Sequence, residues 1–170
     1  MLGGARSGKS RYAERLIEGA ATSATYLATA QALDGEMAER IRRHRERREA
    51  ACSRVSWHTI EEPLDLVGCL AGVARPDRPV LVDCLTLWLS NLMLAGSDIP
   101  AESAGLVGAL PALAGPVVLV ANEVGLGIVP DNALARDFRD HAGQLNQSVA
   151  AIAHRVVFVA AGLPLILKDR

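Results

Sequence analysis

The sequence predicts an α/β domain with a mostly parallel sheet and helices on both of its faces. Short apolar segments alternate with longer helix-forming segments along the chain of 170 residues, and this alternation is typical of parallel sheets. Half of the residues are hydrophobic but only 4% are aromatic, so the core must consist of Leu, Val, Ile and Ala. The length fits a single domain, residues 1–170, with a substantial core.

Short apolar runs are the candidate strands, and longer stretches between most of them are the candidate helices. The strands are predicted at residues 25–28, 55–59, 79–83, 117–121, 156–160 and 165–167. The helices are predicted at residues 9–18, 36–50, 63–73, 85–94, 101–113 and 133–153. The runs 80–82 and 117–121 are apolar at every position, which is typical of interior strands.

Residues 3–10 form a complete phosphate-binding loop of the pattern G-x-x-x-x-G-K-[ST]. Gly3 and Gly8 permit a tight turn that points backbone N–H groups at a phosphate. Lys9 adds a positive charge for the β- and γ-phosphates, and the Ser10 hydroxyl is a ligand for the Mg²⁺ that accompanies a nucleotide. A glycine-rich loop that only makes a turn is the alternative, but the Gly-Lys-Ser ending favours a P-loop nucleotide site. The predicted nucleotide-binding residues of the loop are Gly3, Gly4, Ala5, Arg6, Ser7, Gly8, Lys9 and Ser10.

The loop lies very close to the first residue, since only Met1 and Leu2 precede it. Loops of this type follow a buried strand of about five residues. Either the chain was assigned a late start codon or the strand is unusually short. In the first case, apolar residues restored from upstream are expected to raise the melting temperature.

Polar residues end two of the predicted interior strands. Asp83 follows the run 80–82, and Asn122 follows the run 117–121. Ligands of open α/β sheets bind at the carboxyl ends of the strands, so both residues are expected to face the crevice of the phosphate-binding loop. An acid at this place usually holds Mg²⁺, directly or through water. Asp83 is therefore predicted to join Ser10 in a metal site, and an Asp that only serves turn chemistry is the alternative.

The predicted helix 36–50 contains six arginines around one histidine, His44. Arg40, His44 and Arg48 recur every four residues and share one face, with Arg47 adjacent. The neighbouring cations disfavour the charged imidazole, so His44 is expected to be neutral, with a lone pair that can attack phosphorus. The arginines would stabilise charge on the phosphates. A solvated helix, an arginine-rich kinase lid and a nucleic-acid contact remain open as alternatives.

Composition and spacing argue against several other classes of protein. The formal net charge is −1, so no overall field attracts nucleic acid or an anionic membrane, and no apolar run is long enough to span a bilayer. The three cysteines form no C-x-x-C pair and, without a secretion signal, indicate a reducing cytoplasm. No two histidines or cysteines have metal-ligand spacing, so no structural metal is expected. His58 is expected to be packed in its strand.

In their order along the chain, the motifs resemble those of one enzyme family. They are the loop at 3–10, Tyr-Leu-Ala-Thr-Ala at 26–30, Asp-Gly-Glu-Met-Ala-Glu-Arg-Ile-Arg-Arg-His-Arg at 34–45, residues 57–63, Asp-Cys-Leu-Thr at 83–86, the loop 122–130 and the segment 134–147. Over essentially its whole length the sequence resembles the bifunctional adenosylcobinamide kinase/adenosylcobinamide-phosphate guanylyltransferase family of cobalamin synthesis. The Asn-Glu-Val-Gly-x-Gly loop and the Arg-Ile-x-x-His helix are its most specific motifs.

This resemblance implies a function in two steps. The family phosphorylates adenosylcobinamide with a nucleoside triphosphate, ATP or GTP. It then transfers GMP from GTP to adenosylcobinamide phosphate through a GMP–histidine intermediate, and the histidine falls on His44. The resemblance also implies Mg²⁺ at Ser10 and Asp83, a RecA-like parallel sheet and a homotrimer. Further nucleotide-binding residues that it implies are Arg47, Arg48 and Glu61.

Departures from the family pattern leave other functions open. The residue before His44 is Arg43, where some relatives have a second histidine, so one candidate nucleophile remains. A chain that acts only as a guanylyltransferase would share most of the motifs, and a simple small-molecule kinase would share the loop, with residues 40–48 as its lid. A RecA-like nucleic-acid-binding ATPase is disfavoured by the net charge and by the shortage of aromatic residues for base stacking.

Overall fold

Seven strands and five continuous helices lie in the part of the chain that the structure describes. The computed structural model describes residues 1–31 and 55–170, together with Gly35, Glu39, Arg42 and Glu46, which are helical. The strands are β1 (Leu2–Gly3), β2 (Ser23–Ala28), β3 (Ser56–Glu61), β4 (Val80–Asp83), β5 (Val117–Asn122), β6 (Arg155–Ala160) and β7 (Leu163–Asp169). The helices are α1 (Lys9–Glu18), α2 (Leu66–Val73), α3 (Leu85–Ala95), α4 (Ile99–Ala109) and α5 (Ala133–Ile152), and a 3₁₀ turn, Leu110–Ala112, follows α4.

The seven strands form one sheet in the order β3-β2-β4-β5-β1-β6-β7. Every pair of neighbours is parallel except β6 and β7, which form an antiparallel hairpin. The predicted fold class, an α/β domain with a mostly parallel sheet, is therefore confirmed. One strand, β5, separates the strand that leads into the phosphate-binding loop from the strand that ends in Asp83. The loop and the acid thus lie two strand spacings, about 10 Å, apart.

Two hydrophobic clusters cover the two faces of the sheet, as predicted. On β4, Val80 and Val82 belong to the cluster that packs under α2, α3, α4 and α5. Leu81 belongs to the other cluster, with Ala13 and Ile17 of α1. Because successive side chains of a strand point to opposite faces, α1 covers one face of the sheet and the other four helices cover the opposite face.

Some helices and strands differ in length from the prediction, because a capping residue or the pairing with a neighbouring strand sets their ends. Helix α2 begins at Leu66 rather than at residue 63, because the Asp65 side chain accepts a hydrogen bond of 2.9 Å from Gly68 N and caps the helix there. Strand β7 is longer than predicted, because it pairs with β6 across a turn at Ala161 and Gly162. Both turn residues have a positive φ, of 51° and 79°.

Candidate active site

The phosphate-binding loop has a shape that its glycines permit. Ser7 N donates to Gly4 O over 3.3 Å, and Gly8 precedes α1 with a φ of 93°, a left-handed conformation that favours glycine. The Lys9 side chain folds back so that Nζ donates to Gly4 O over 3.1 Å. Lys9 is only 8% exposed, so its ammonium group is held at the turn rather than extended into solvent.

The loop rests on the hairpin between β6 and β7. Gly162 N donates to Ser7 O over 2.8 Å. A Cβ atom on Gly8 would stand 3.2 Å from Gly162 Cα, and a Cβ atom on Gly3 would collide with Val159 O and lie 2.6 Å from Ser7 Oγ. The first and last glycines of the motif therefore allow the loop to approach this hairpin closely.

The loop after β5 lies directly beside the phosphate-binding loop. Glu123 N donates to Gly3 O over 3.0 Å. Helices α3 and α5 hold the end of β5, because Asn122 N donates to Thr86 Oγ1 over 2.7 Å and Asn146 Nδ2 donates to Asn122 O over 3.3 Å. Asn122 thus lies at the same edge of the sheet as the phosphate-binding loop, as expected for a polar residue at the carboxyl end of a strand.

Asp83 ends β4 at the same edge. It lies in register with Val120 of β5 on one side and with Ala28 of β2 on the other. The Tyr26 hydroxyl donates to Asp83 Oδ2 over 2.9 Å. Among the described residues, Oδ1 of this carboxylate receives no hydrogen bond. One oxygen of the acid is therefore held by the neighbouring strand, and the other is left for a ligand.

Thr29 holds the backbone on either side of the Asp83–Cys84 peptide bond, which is cis. Thr29 N donates to Asp83 O over 3.3 Å. Its Oγ1 donates to Cys84 O over 2.7 Å and accepts from Cys84 N over 2.9 Å, while Asn91 Nδ2 donates to Thr29 O over 2.7 Å. The contacts of Tyr26 and Thr29 were not among the sequence-based predictions. Thr29 offered a signal, since it is a polar residue directly after β2, whereas Tyr26 lies inside that strand and no local pattern marks its hydroxyl as a partner of Asp83.

The two described cysteines are unsuited to nucleophilic chemistry at neutral pH. Burial, followed by the charge of Asp83, raises the pKa of Cys84 to about 11. Burial, followed by the charges of Glu62 and Asp65, raises the pKa of Cys69. The thiolate is the nucleophilic form of cysteine, so a raised pKa disfavours a nucleophilic role for either thiol.

The segment between β2 and β3 begins at the edge that carries the loop. Strand β2 ends at Ala28, which lies in register with Asp83, and Glu61 ends β3 in register with the same Ala28. The chain therefore enters this segment beside the acid. The predicted residues that belong to the segment and lie outside the described residues are His44, Arg47 and Arg48.

Among the described residues of this segment, Arg42 is engaged within its own helix. Its guanidinium donates to Glu39 over 2.7 and 2.8 Å and is also paired with Glu46. These pairs are spaced three and four residues apart, as expected for neighbours on a helical surface. The charge of this arginine is therefore shared with two carboxylates.

Glu61 and His58 are both exposed on strand β3. The prediction that His58 is packed is wrong, because β3 is an edge strand and its inward-facing neighbour is Trp57. That indole makes an edge-to-face contact with Tyr26, with 6.2 Å between the ring centroids. Glu61 lies at the carboxyl end of β3, and its exposure leaves it accessible to a ligand at this edge.

Ser10 and Asp83 fit Mg²⁺ better than a metal whose ligands are all protein side chains. The described residues contain no group of three or more His, Cys, Asp or Glu side chains that could hold a metal ion. Mg²⁺ is usually bound by one or two side chains, and water and substrate phosphates complete its shell. A hydroxyl in the first turn of α1 and a carboxylate with one unengaged oxygen are donors of this kind.

A cavity of about 530 Å³ lies at the opposite, amino end of the strands. Apolar side chains such as Val117, Val156 and Ile152 line much of it, and no residue of the phosphate-binding loop does. In this region the Met1 ammonium donates to Leu119 O over 2.8 Å, and burial lowers its pKa to about 6. The cavity is therefore separate from the candidate site.

The described helices are all too short or too polar to cross a bilayer.

Comparison with known proteins finds relatives along the whole chain. The model of a family described as cobinamide kinase / cobinamide phosphate guanyltransferase matches residues 1–167. A bifunctional adenosylcobalamin biosynthesis protein, CobP, from Pseudomonas aeruginosa is 49% identical over 170 residues, which cover 99% of this chain and 95% of that protein. Bifunctional proteins named CobU from Escherichia coli and Salmonella typhimurium are 41% and 42% identical over 183 positions, covering 99% of this chain and 98% of each relative.

Among solved structures, the flagellar accessory protein FlaH from Methanocaldococcus jannaschii is a distant match. Its TM-score is 0.45 at 13% identity, and the match covers 99% of this chain and 76% of that one. A likeness of this degree says nothing about activity.

Proposed function

The chain belongs to the cobinamide kinase / cobinamide phosphate guanylyltransferase family, and we propose that its guanylyl transfer passes through a GMP–histidine intermediate on His44. The protein is a bifunctional enzyme of adenosylcobalamin biosynthesis, so the predicted function is confirmed at this level. The observation that supports the proposal is the course of the chain. The segment that contains His44 leaves β2 at Ala28, beside Asp83 and at the edge that carries the phosphate-binding loop.

In the kinase reaction, we propose that the loop at residues 3–10 binds the triphosphate of ATP or GTP. Its backbone N–H groups and the start of α1 favour negative charge, and Lys9 stabilises the charge that develops on the transferred phosphoryl group. The aminopropanol hydroxyl of adenosylcobinamide attacks the γ-phosphorus. The bond to the β-phosphate oxygen breaks, the nucleoside diphosphate leaves, and the hydroxyl proton is released.

In the guanylyl transfer, the neutral imidazole of His44 attacks the α-phosphorus of GTP. A nitrogen–phosphorus bond forms and pyrophosphate leaves, with Arg47 and Arg48 stabilising its charge. A phosphate oxygen of adenosylcobinamide phosphate then attacks the same phosphorus and breaks that bond, which gives adenosylcobinamide-GDP and restores the histidine. Two displacements keep the anionic cobinamide phosphate from having to approach the full triphosphate charge.

Mg²⁺ is the proposed cofactor, held by the Ser10 hydroxyl and the Asp83 carboxylate. When bound it neutralises phosphate charge during transfer. Oδ1 of Asp83 accepts no hydrogen bond from a described residue and Ser10 lies in the first turn of α1, and both observations support this assignment. Glu61 is proposed as a further nucleotide contact, because it is exposed at the carboxyl end of β3.

We further propose that residues 1–170 form one domain and that the enzyme is a cytoplasmic homotrimer. Exposed apolar surface supports a contact between subunits, since β7 is an edge strand that exposes much of its length. Its exposed apolar residues are Leu163, Leu165, Ile166 and Leu167. Such an edge tends to pair with or pack against another chain. The free thiols of Cys69 and Cys84 agree with a reducing compartment.

Intact-protein mass spectrometry after incubation with GTP and Mg²⁺ tests the histidine assignment. The wild-type protein is expected to gain the mass of one GMP, and so is the control variant His58→Ala, because His58 lies exposed on an edge strand. His44→Ala is expected to gain none and to lose guanylyl transfer, while it still phosphorylates adenosylcobinamide. The adduct should be labile in acid and stable in alkali, as a phosphoramidate is.

A His44→Ala variant that becomes guanylylated at the wild-type rate would disprove the assignment. The arginine-rich helix would then be better explained as a lid over the nucleotide. The same assay with GTP labelled at the α- or the γ-phosphorus identifies which phosphate reaches the protein. Only α-label is expected on His44.

A further inference from the structure

The acid at the end of β4 has a single side-chain partner among the described residues, the hydroxyl of Tyr26. The hydroxyl donates to Asp83 Oδ2 over 2.9 Å, and Tyr26 is only 4% exposed. A hydrogen bond to an ionised acceptor is among the stronger kinds, and it occupies one of the two oxygens through which a carboxylate can bind a ligand.

The ring that carries this hydroxyl is itself firmly placed. Tyr26 lies inside the hydrophobic cluster that α1 covers, and Trp57 of β3 contacts it edge to face at an interplanar angle of 80°. A tyrosine has only two side-chain torsions, so a buried ring in such contact leaves its hydroxyl little freedom. The hydroxyl is therefore a fixed point of the sheet rather than a mobile surface group.

The backbone that carries the carboxylate is fixed from the same strand. Ala28 of β2 lies in register with Asp83, and Thr29 bonds to the backbone of both Asp83 and Cys84. With the backbone held by Thr29 and Oδ2 held by Tyr26, the carboxylate has its side-chain rotation restrained at both ends.

We propose that Tyr26 is a positioning residue that holds Oδ2 of Asp83, so that Oδ1 is presented to Mg²⁺ or to its bound water in the nucleotide complex. This inference rests on the proposed Mg²⁺ site at Ser10 and Asp83. Without the hydroxyl, the carboxylate can rotate, and the two oxygens become interchangeable. Mg²⁺ tolerates little departure from octahedral geometry, so a rotating ligand weakens the magnesium-dependent part of nucleotide binding more than any other part.

Tyr26→Phe isolates the hydroxyl, because it keeps the ring in its place against Trp57. The matched control is Tyr12→Phe, which makes the same chemical change at the other tyrosine of the chain, on α1. The measurement is the affinity for the α,β-methylene analogue of GTP, which cannot transfer GMP to His44, by equilibrium dialysis in excess Mg²⁺ and in EDTA. The ratio of the two affinities is the readout. A loss of packing lowers both affinities and leaves this ratio unchanged.

The ratio is expected to fall by about tenfold or more in Tyr26→Phe, as for one lost hydrogen bond to a charged group. It should stay at the wild-type value in Tyr12→Phe. Asp83→Asn should reduce it further, and Tyr26→Phe added to Asp83→Asn should have no additional effect, because the hydroxyl acts through that carboxylate. The Mg²⁺ concentration for half-maximal guanylyl transfer should rise in parallel with the loss in the ratio.

A wild-type ratio in Tyr26→Phe, with Asp83→Asn still defective, would overturn the positioning role and leave the metal site standing. Equal losses in Mg²⁺ and in EDTA would overturn it too, and would assign Tyr26 to packing alone. A wild-type protein whose affinity for the analogue is independent of Mg²⁺, or an Asp83→Asn variant that binds it normally, would overturn both the metal site and the inference.

Discussion

The phosphate-binding loop and the acid of β4 lie at one edge of the sheet, but they are held in different ways. The loop is held by backbone groups, through Gly4 O and the contact of Ser7 O with Gly162 N. The acid is held largely by side chains, since the Tyr26 hydroxyl of β2 bonds to its carboxylate and the hydroxyl of Thr29, directly after β2, bonds to the backbone of the adjoining Cys84. The conformation of the loop therefore depends on glycines, which have no side chain to obstruct close contacts. The position of Asp83 depends on the hydroxyl groups that Tyr26 and Thr29 supply.

The largest expected effect comes from removing the charge of Lys9, whose ammonium group donates to Gly4 O within the loop. Lys9→Ala should reduce the use of triphosphate in both reactions by an amount equivalent to about 3–4 kcal/mol of transition-state stabilisation, because water cannot replace a positioned ammonium group. The melting temperature should change little. Steady-state rates with ATP and GTP provide the measurement.

Lys168→Ala is the matched control for Lys9→Ala. The Lys168 ammonium donates to Ala150 O and Ala151 O at the end of α5, away from the loop, so its loss should leave both rates unchanged. Near-normal turnover in Lys9→Ala would remove the loop from the mechanism.

Substitution of two buried threonines, Thr29 and Thr25, tests how much the hydroxyl contacts beside Asp83 contribute to stability. Thr29→Val leaves a buried N–H and a buried C=O of Cys84 without their partner and should lower the free energy of unfolding by about 2–3 kcal/mol. Thr25 Oγ1 is buried and has no hydrogen-bond partner in the part of the chain that the structure describes, so Thr25→Val should be neutral or stabilising. Urea unfolding of both variants measures the difference. Equal losses would show that the contact with Cys84 contributes nothing beyond packing.

The smallest expected effect comes from adding a methyl group to the glycines of the phosphate-binding loop. Gly3→Ala places a Cβ atom against Val159 O and Ser7 Oγ and should lower the free energy of unfolding by about 1–3 kcal/mol through overpacking. At Gly4 no atom lies within 4 Å of an added Cβ, so Gly4→Ala should leave the melting temperature unchanged or slightly raised. If both variants melt together, the close approach to the β6–β7 hairpin does not restrain the loop.

Much of the site could be predicted because its signals are local in sequence. The motif at residues 3–10 and the strand that ends in Asp83 are each readable from a few consecutive residues. The contacts of Tyr26 and the approach of Gly162 to Ser7 were not predictable, because they join segments that are far apart in the chain. His58 was predicted wrongly for a related reason, since hydrophobic patterning does not reveal which strand forms the edge of a sheet.

The alternation of strands and helices, the phosphate-binding loop and the family can be inferred from the amino-acid sequence alone, because periodicity, turn residues and motif spacing are properties of short segments. The three-dimensional packing sets the strand order that places β5 between β1 and β4, and it sets which oxygen of Asp83 bonds to Tyr26. Strand order and side-chain pairing arise when separate segments pack together. A local pattern is compatible with several such packings, and burial of the whole core selects one.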